Sequence, residues 1–256
     1  KGQIESHLSN ITSAVHRNFI KYSNVANQAN YLIISHPSFY NTGAGQNYVD
    51  QYRSYRSSAP GGSFNAKIYD IDQLNDQFGY GIKNHPASVK DFLQFAKTYF
   101  TQTPKFVFII GKGVTYADYR FIQNSPNGEK MNLVPTFGFP ASDIRLASGY
   151  NSLVPDIPVG RLSVVTGNEV GNYLVKMKQY EQAQASTSQT VADKEWMKNV
   201  VHVIGGKDNG ESDLFTAYMN NYKRIIEDTL YGAKVETFSK SSTAAVQVIA
   251  SQRIEE

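Results

Sequence analysis

The chain has 256 residues, carries 25 lysine and arginine residues against 22 aspartate and glutamate residues, and contains no cysteine. Its length corresponds to one large domain or two smaller ones, and a hydrophobic share of 41% supports a buried core, which excludes an intrinsically disordered chain. The net charge of +3 is scattered, so nothing indicates a nucleic acid or an anionic membrane as a partner. The absence of cysteine excludes disulfides, thiolate metal sites and a cysteine nucleophile within these residues.

The composition favours a secreted or cell-surface setting. Charged residues make up only 18% of the chain, below the usual ~25%, while amide, hydroxyl and phenol side chains are abundant. No apolar run reaches the roughly 20 residues that a membrane-spanning helix needs, and the first residues are not a signal peptide. We expect the chain to begin inside a longer protein, because residues 1–4 do not resemble a native start.

The first half of the chain predicts helices that alternate with strands. A single apolar stripe at helical spacing predicts a helix over residues 4–19, followed by a polar link. Short apolar runs predict three strands, and amphipathic segments predict two further helices: strands at 31–35, 66–71 and 106–110, and helices at 48–55 and 86–100. Because strands and helices alternate at this spacing, we expect parallel pairing through right-handed crossovers.

The second half of the chain is divided by a polar stretch. Residues 116–161 are rich in proline, glycine and asparagine, which predicts loops and short edge strands, with apolar stretches at 133–135 and 157–159. Residues 166–169 form a capping box that predicts the start of a helix. The polar stretch 183–190 is the predicted boundary, because a strand–helix–strand–helix series restarts after it.

Beyond this boundary the sequence predicts strands at 200–204 and 234–238, a helix between them through Leu230, and a last helix from Ser242. No strand follows that last helix in the sequence, so we expect an incomplete second sheet whose edge beside Val235 is open to pairing with another chain. The predicted fold class is α/β, with parallel or mixed βαβ sheets flanked by helices. The predicted organisation is an N-terminal helix and link at 1–27, a first subdomain at 28–185, and the opening part of a truncated second subdomain at 191–256.

The sequence contains no complete motif of a common catalytic site. The glycine-lysine-glycine turn at 111–113 follows a predicted strand, but the spacing of a phosphate loop is absent and a tight turn is the favoured interpretation. A serine-hydrolase elbow, G-x-S-x-G, is also absent. The five histidines are not grouped as a metal site requires. We expect His202 to be hydrogen-bonded inside a strand, and His36 and His85, each before a proline, to have extended or turn backbone.

Aspartates flank the glycine- and asparagine-rich loop of the middle region. Asp143 and Asp156 lie on either side of the loop, and Asp118 lies upstream. Carboxylates and loop carbonyls are the ligands of a hard cation such as Ca²⁺, so Asp143 and Asp156 are candidate ligands of a structural calcium ion. The spacing of an EF-hand is absent, and capping of local amides by the aspartates is the alternative interpretation. No other cofactor is expected.

Six motifs occur in order along residues 28–256. They are YLIISHP at 31–37, FVFIIG at 106–111, VPTFGFPASD at 134–143, PDIPVGRL at 155–162, K-x-x-x-Y-E at 176–181 and VHVIGG at 201–206. Together they resemble the gingipain-like cysteine peptidases, family C25. The last motif is similar to the start of the second subdomain in Bacteroidetes members, including relatives of the type IX secretion sortase. One departure is Lys112, which stands where many members carry an acidic residue.

The resemblance implies a Cys–His dyad in the parent protein. In this family a thiolate attacks the peptide carbonyl, a histidine transfers the protons, and backbone amides stabilise the oxyanion. Both dyad residues follow the helix that ends this chain, so no catalytic residue is assigned here. Asp143, Gly160 and Arg161 match family positions, and we expect them to be structural or cleft-lining residues.

Two hypotheses follow from the resemblance. In the first, the chain is the N-terminal part of a secreted C25-type cysteine endopeptidase or sortase-like transpeptidase, inactive alone, whose dyad lies beyond Glu256. Its expected partners are protein or peptide substrates and the rest of its own polypeptide, outside the cell or on the outer membrane of a Gram-negative Bacteroidetes bacterium. In the second, it is a non-catalytic module of the same fold that binds protein or carbohydrate through its tyrosines. A His-Gly strand directly after residue 256, followed by a cysteine, favours the first hypothesis.

Overall fold

The structure, a computed structural model, describes residues 16–125, 127–185 and 190–239. The chain divides into two compact units, residues 1–178 and residues 179–256. The strands are β1 (Tyr31–Ser35), β2 (Ala66–Asp70), β3 (Phe106–Ile110), β4 (Val159–Leu162), β5 (Asn199–Ile204) and β6 (Lys234–Ser239). The helices are α1 (Tyr48–Ser57), α2 (Ile71–Phe78), α3 (Pro86–Tyr99), α4 (Tyr116–Ile122), α5 (Gly128–Met131), α6 (Ile144–Ala147), α7 (Gly167–Gln184), α8 (Val191–Lys194) and α9 (Asn209–Ile226).

The four strands of the first unit form one parallel sheet in the order β2-β1-β3-β4. Tyr31 of β1 pairs with Ala66 of β2 on one side and with Phe106 of β3 on the other. All five side chains of β1 are buried, as expected for the centre of a parallel sheet that is covered on both faces. The predicted α/β fold with parallel pairing is confirmed.

Helices pack on both faces of this sheet. On one face, Leu32 and Ile34 of β1 lie in a cluster with Leu74 of α2 and Phe92 of α3. On the other face, Ile33 lies in a second cluster with residues of α1 and α7. Each fully buried side chain of this size contributes about 1.5–3 kcal/mol of hydrophobic stabilisation. Alternate residues of one strand therefore hold both helical layers to the sheet.

Strand β2 is one residue shorter than predicted, because a helix begins at Ile71. The Asp70 carboxylate accepts a hydrogen bond from the Asp72 amide at 2.8 Å, which caps α2 and ends the strand. Sequence reasoning missed this eight-residue helix, although Ile71 and Leu74 are both buried and lie at helical spacing.

The helix predicted over residues 4–19 falls mostly outside the described residues. Residues 16–20 have no regular secondary structure and Phe19 is 62% exposed, so the prediction that the helix reaches Phe19 is wrong. This segment runs beside α2, where Arg17 forms an ion pair with Asp76 at 2.6 Å.

Residues 111–158, which we call the middle segment, leave β3 and return to the sheet at the edge strand β4. The segment contains the short helices α4, α5 and α6, where sequence reasoning expected loops. Residues 133–135 are not a strand as predicted. The amides of Leu133 and Val134 both donate to the Lys112 carbonyl oxygen, at 2.8 and 3.1 Å, so this stretch is bound to the turn after β3 rather than to a ladder.

Helix α7 begins at the predicted capping box. The Glu169 carboxylate accepts from the amides of Val165 and Thr166 at 2.8 and 3.3 Å, and the Glu169 amide donates to the Thr166 hydroxyl at 3.4 Å. These bonds give partners to amides that the helix itself cannot satisfy, as the S/T-x-x-E pattern predicts.

The second unit contains the parallel pair β5–β6, and both predicted strands are confirmed. Helix α9 ends at Ile226, short of the predicted Leu230, which lies exposed in the turn before β6. The helix predicted from Ser242 lies outside the described residues. His202 is buried, but its Nδ1 has no hydrogen-bond partner, and neither has Oγ1 of Thr237 opposite it, so the expectation of a hydrogen-bonded His202 is wrong for this nitrogen.

Candidate functional site at the carboxyl end of the parallel sheet

Arg161 organises the chain around the carboxyl ends of β3 and β4. A guanidinium has five N–H groups in a rigid planar fork, and all five are donated here. Nε and Nη2 donate to the two carboxylate oxygens of Asp143, each at 2.8 Å. Nη1 donates to the carbonyl oxygens of Gly111 and Val134 at 2.7 and 2.8 Å, and Nη2 also reaches that of Pro135 at 3.2 Å. Arg161 therefore connects the turn after β3 to residues 134–135 and to Asp143, which lie later in the middle segment.

Asp143 completes this arrangement, which we call the Asp143–Arg161 junction. Its carboxylate receives the paired hydrogen bonds of Arg161 and a third from the Thr136 hydroxyl at 3.1 Å. The side chains are 25% exposed for Asp143 and 10% exposed for Arg161. A bidentate arginine–carboxylate pair has a strict planar geometry, so a lysine cannot replace the arginine. The predicted residues Asp143 and Arg161 are thus in direct contact. Their role as structural or cleft-lining residues stays a prediction.

Two glycines beside the junction have different steric surroundings. A Cβ on Gly113 would lie 2.4 Å from the Val134 carbonyl oxygen and 3.1 Å from Nη1 of Arg161. A Cβ on Gly160 would meet only the Phe108 ring, at an ordinary contact distance of 3.7 Å. Sequence reasoning selected Gly160 and missed Gly113, because only the folded chain shows which glycine lies against the guanidinium.

The turn at 111–113 has the structural role that the sequence favours. Gly111 has a φ of +140°, which suits glycine, and its amide donates to the Leu162 carbonyl at 2.9 Å. The amide of Lys112 donates to the Val164 carbonyl at 2.9 Å. Both amides are occupied by the chain itself, so they do not form an anion-binding loop.

A second anchor of the middle segment is Lys90, which sequence reasoning missed. Lys90 lies on α3 and is 4% exposed. Its ammonium group donates to the carbonyl oxygens of Arg145, Ser148 and Gly149 at 2.7, 2.7 and 3.4 Å. Burial lowers the pKa of Lys90 below its ordinary value, while the neighbouring carboxylates of Asp91 and Asp156 act in the opposite direction. A lysine beside an apolar stripe usually extends its head into water, so the sequence carries no signal for this contact.

The other candidate aspartates also have local partners. Asp156 accepts hydrogen bonds from Lys97 at 2.8 Å and from Gln94 at 3.3 Å, and the Lys97 bond lowers the pKa of that carboxyl. Asp118 accepts from the Thr115 hydroxyl at 2.6 Å at the start of α4.

Within the part of the chain that the structure describes, no group of three or more histidine, cysteine or acidic side chains is arranged to hold a metal ion. Both proposed ligands, Asp143 and Asp156, form ion pairs with basic side chains. Calcium binding stays a prediction, and an ion at these residues would compete with Arg161 and Lys97.

Two histidines begin helical turns next to this edge of the sheet. Nδ1 of His36 accepts from the Ser38 amide at 3.2 Å, and Nδ1 of His85 accepts from the Ala87 amide at 3.1 Å. Their backbones are extended, as predicted for residues before proline. The Ser38 hydroxyl lies 2.8 Å from the same nitrogen of His36, and burial lowers the pKa of this imidazole. Nδ1 of His36 therefore contacts both the backbone amide and the hydroxyl of Ser38 at the start of this turn.

The middle segment also presents apolar side chains to solvent. Phe121 and Phe139 are 88% and 84% exposed, and Tyr150, Leu153 and Val154 are exposed as well. Arg161 and Lys90 therefore hold parts of a segment that exposes large apolar side chains.

Comparison with known proteins identifies the family. A family model described as peptidase family C25 matches residues 24–255. The chain belongs to peptidase family C25. The match confirms the resemblance drawn from the six sequence motifs.

Solved structures with a similar fold include two from Porphyromonas gingivalis. One is the dimeric latent PorU, with 14% identity and a TM-score of 0.46, covering 74% of this chain and 21% of that chain. The other is the complex of RgpB pro- and mature domains, with 14% identity and a TM-score of 0.49, covering 86% of this chain and 44% of that chain. The C25 chain therefore spans less than half the length of either one. No curated protein matches the sequence.

Proposed function

We propose that the chain is the leading part of a C25-type cysteine peptidase that acts on protein substrates, as an endopeptidase or as a sortase-like transpeptidase. The observation that carries the proposal is the family match over residues 24–255 in a sequence without cysteine. Since the family chemistry needs a thiolate, the proposal assigns the nucleophile and its histidine to residues outside this sequence.

The proposed reaction is acyl transfer through a thioester. The thiolate attacks the peptide carbonyl, the histidine protonates the leaving amine, and backbone amides stabilise the oxyanion. Water then releases the acyl group in a hydrolase, whereas an acceptor amine takes it in a transpeptidase. In open parallel sheets, ligand sites form at the carboxyl ends of strands, which is where the Asp143–Arg161 junction holds the middle segment. We assign this segment a cleft-lining role.

The first experiment determines how far the native protein extends, by peptide mass mapping of material from its source. We expect peptides past Glu256 that include a His-Gly strand and a later cysteine. The complete protein should then cleave a quenched fluorescent peptide library, and its Cys→Ala variant should not. A complete protein that contains such a cysteine and shows neither hydrolysis nor transfer would contradict the proposal.

The choice between hydrolase and transpeptidase is decided by an added amine. With a short oligoglycine present, a transpeptidase gives a peptide–oligoglycine conjugate in place of the free acid, and mass spectrometry separates the two products. A hydrolase gives the free acid at every amine concentration.

The proposed location is the exterior or the cell surface of a Gram-negative Bacteroidetes bacterium. The support is the family match and a composition low in charge and free of cysteine. None of the helices in the described residues is long and apolar enough to cross a membrane.

A second candidate function is a non-catalytic module that binds protein or carbohydrate. The exposed Phe121, Phe139 and Tyr150 favour it, because aromatic side chains are enriched at binding surfaces. If the native chain ends at Glu256, this function takes precedence. A glycan array and a pull-down with the Phe139→Ala variant as control would then identify the ligand class.

A further inference from the structure

Strand β2 forms one edge of the four-stranded sheet and presents backbone groups outward. The Tyr31 amide donates to the Asn65 carbonyl at 3.2 Å, which sets the phase of the β1–β2 ladder. Because backbone groups alternate in direction along a strand, the N–H and C=O of Ala66 and Ile68 point away from β1. Among the described residues, none is hydrogen-bonded to these outward groups. They form an open ladder of two amides and two carbonyls.

A groove of about 400 Å³ runs along this edge. Tyr22 and Tyr69 contribute to one wall, and Asp50 and Arg53 of α1 contribute to the other, while the β2 backbone lies between them. The tyrosine rings belong to the buried core, with centroids 5.6 Å apart, so this wall is held by packing. The groove is thus preformed and lies beside the outer edge of β2, which has no strand partner among the described residues.

The charge of the groove favours an acidic occupant. Arg53 forms an ion pair with Asp50 at 2.6 Å, which leaves that pair neutral. Lys67 lies on β2 between the two outward-facing residues and has no ion-pair partner in the described part of the chain. The net charge of the lining is therefore positive, and a carboxylate beside Lys67 would neutralise it.

The other edge of the sheet is different. Strand β4 has four residues, follows Pro158 and contains Gly160, and both residue types weaken strand pairing. Strand β2 has neither proline nor glycine. Of the two edges, β2 is the one whose backbone is not interrupted by proline or glycine.

We propose that β2 binds an extended, acidic segment of polypeptide by strand addition. The backbone of the segment pairs with Ala66 and Ile68, and a glutamate or aspartate side chain lies beside Lys67. Main-chain hydrogen bonds supply affinity in this mode of recognition, and side-chain positions supply specificity. This proposal does not depend on the proposed peptidase function.

The test uses the 256-residue chain and an acetylated, amidated pentapeptide, Thr-Val-Glu-Val-Thr. A second peptide, with Lys in place of Glu, is the matched probe. NMR chemical-shift mapping is the measurement, because it registers weak binding residue by residue. We expect the glutamate peptide to shift the amide signals of Ala66 and Ile68. The lysine peptide should bind about fivefold more weakly, the size expected of one partly exposed ion pair.

A charge swap makes the test specific. The Lys67→Glu variant should prefer the lysine peptide, and Lys67→Gln should bind both peptides equally. Circular dichroism checks that both variants are folded, as expected for changes on the surface of an edge strand. An analogue of the glutamate peptide that is N-methylated at the central residue should bind more weakly to every form, because it loses a main-chain donor.

Several results would overturn the proposal. If the signals of Ala66 and Ile68 do not shift, or if the wild-type chain binds the two peptides with equal affinity, β2 does not select an acidic segment and the proposal is wrong. Sedimentation equilibrium could instead show that the chain self-associates and that Lys67→Glu abolishes the association. The edge of β2 would then bind a second copy of this chain. Binding that appears only after deletion of residues 1–15 would assign it to the chain's own leading segment.

Discussion

Arg161 donates all five of its N–H groups within the protein, and this determines what its removal costs. The Arg161→Met variant leaves the Asp143 carboxylate with only the Thr136 hydroxyl as a side-chain donor, and it removes the guanidinium donors of three carbonyl oxygens. Removing one partner of a buried ion pair costs about 3–5 kcal/mol, and the partial exposure of Asp143 places the expected loss at about 3 kcal/mol. Urea denaturation measures this loss as a lower midpoint.

The matched control is Arg17→Met, since the side chain of Arg17 is 57% exposed in its ion pair with Asp76. An exposed pair contributes at most about 1 kcal/mol to the free energy of unfolding. Equal losses in the two variants would contradict the importance that we assign to the Asp143–Arg161 junction.

Gly113 and Gly160 provide a second comparison of single residues. Alanine at Gly113 places a methyl group 2.4 Å from the Val134 carbonyl oxygen, whereas alanine at Gly160 meets the Phe108 ring at 3.7 Å. We expect Gly113→Ala to lower the free energy of unfolding by about 2 kcal/mol or more, in the range of an overpacked site, and Gly160→Ala to change it by less than about 0.5 kcal/mol. Thermal unfolding of the two variants, measured side by side, decides the matter. A greater loss at Gly160 would contradict the steric argument.

At the scale of elements, the buried Lys90 connects helix α3 to the middle segment. Lys90→Met keeps most of the side-chain volume but removes the ammonium group that donates to the carbonyl oxygens of Arg145, Ser148 and Gly149. Each of these oxygens keeps one other donor, at 3.3 Å. Hydrogen bonds from a charged group contribute about 1.5–3 kcal/mol, so we expect a loss of about 2 kcal/mol in the free energy of unfolding. In this variant, amide hydrogen exchange should be faster than in the wild-type chain within the middle segment, with a smaller change in β1.

The control for Lys90 lies on the same helix. Lys97→Met removes a lysine whose side chain is 44% exposed and which pairs with Asp156. Its expected loss is below about 1 kcal/mol. Uniform acceleration of exchange across the whole first unit in Lys90→Met would show a general loss of stability instead of the release of one segment.

At the scale of the whole molecule, buried tyrosines determine the response to alkaline pH. Burial raises the pKa of Tyr22, Tyr52 and Tyr69 well above the ordinary value of 10.0. The folded state therefore keeps these protons at a pH where the unfolded chain has lost them. Their contribution to stability is complete below about pH 10 and declines as the pH rises above it, by about 1.4 kcal/mol per pH unit for each tyrosine.

Lys90 acts in the opposite sense, because its lowered pKa favours folding as the pH approaches 10.5, but it is a single group, whereas burial also raises the pKa of Tyr31 and Tyr40. The Tyr22→Phe variant isolates one tyrosine, and the Tyr22 hydroxyl is buried without a hydrogen-bond partner, so its loss costs little at neutral pH. We expect the alkaline decline of the variant to be shallower by about 1.4 kcal/mol per pH unit, measured by urea denaturation. A stability that stays level above about pH 10 would contradict this assignment.

The elements that sequence reasoning predicted correctly depend on short-range chemistry. β1 is a continuous apolar run bounded by a proline, α3 begins at His85-Pro86, and α7 begins at a capping box. Each pattern lies within a few residues of the chain and selects one local geometry. The parallel pairing of the strands followed from the alternation of strands and helices, since a crossover helix returns the chain to the same end of the sheet.

The remaining features depend on contacts between residues far apart in the sequence. Arg161 meets Asp143 across 18 residues and Gly111 across 50, while Lys90 meets Ser148 across 58. Family resemblance identified Asp143 and Arg161 as candidate residues. The five hydrogen bonds that Arg161 donates form only when β3 and β4 lie side by side. Gly113, Lys90 and the open edge of β2 have no local signature, because their surroundings are supplied by other segments. Local sequence patterns decided which elements form, and the packing of those elements decided which side chains are buried, paired or left open to a partner.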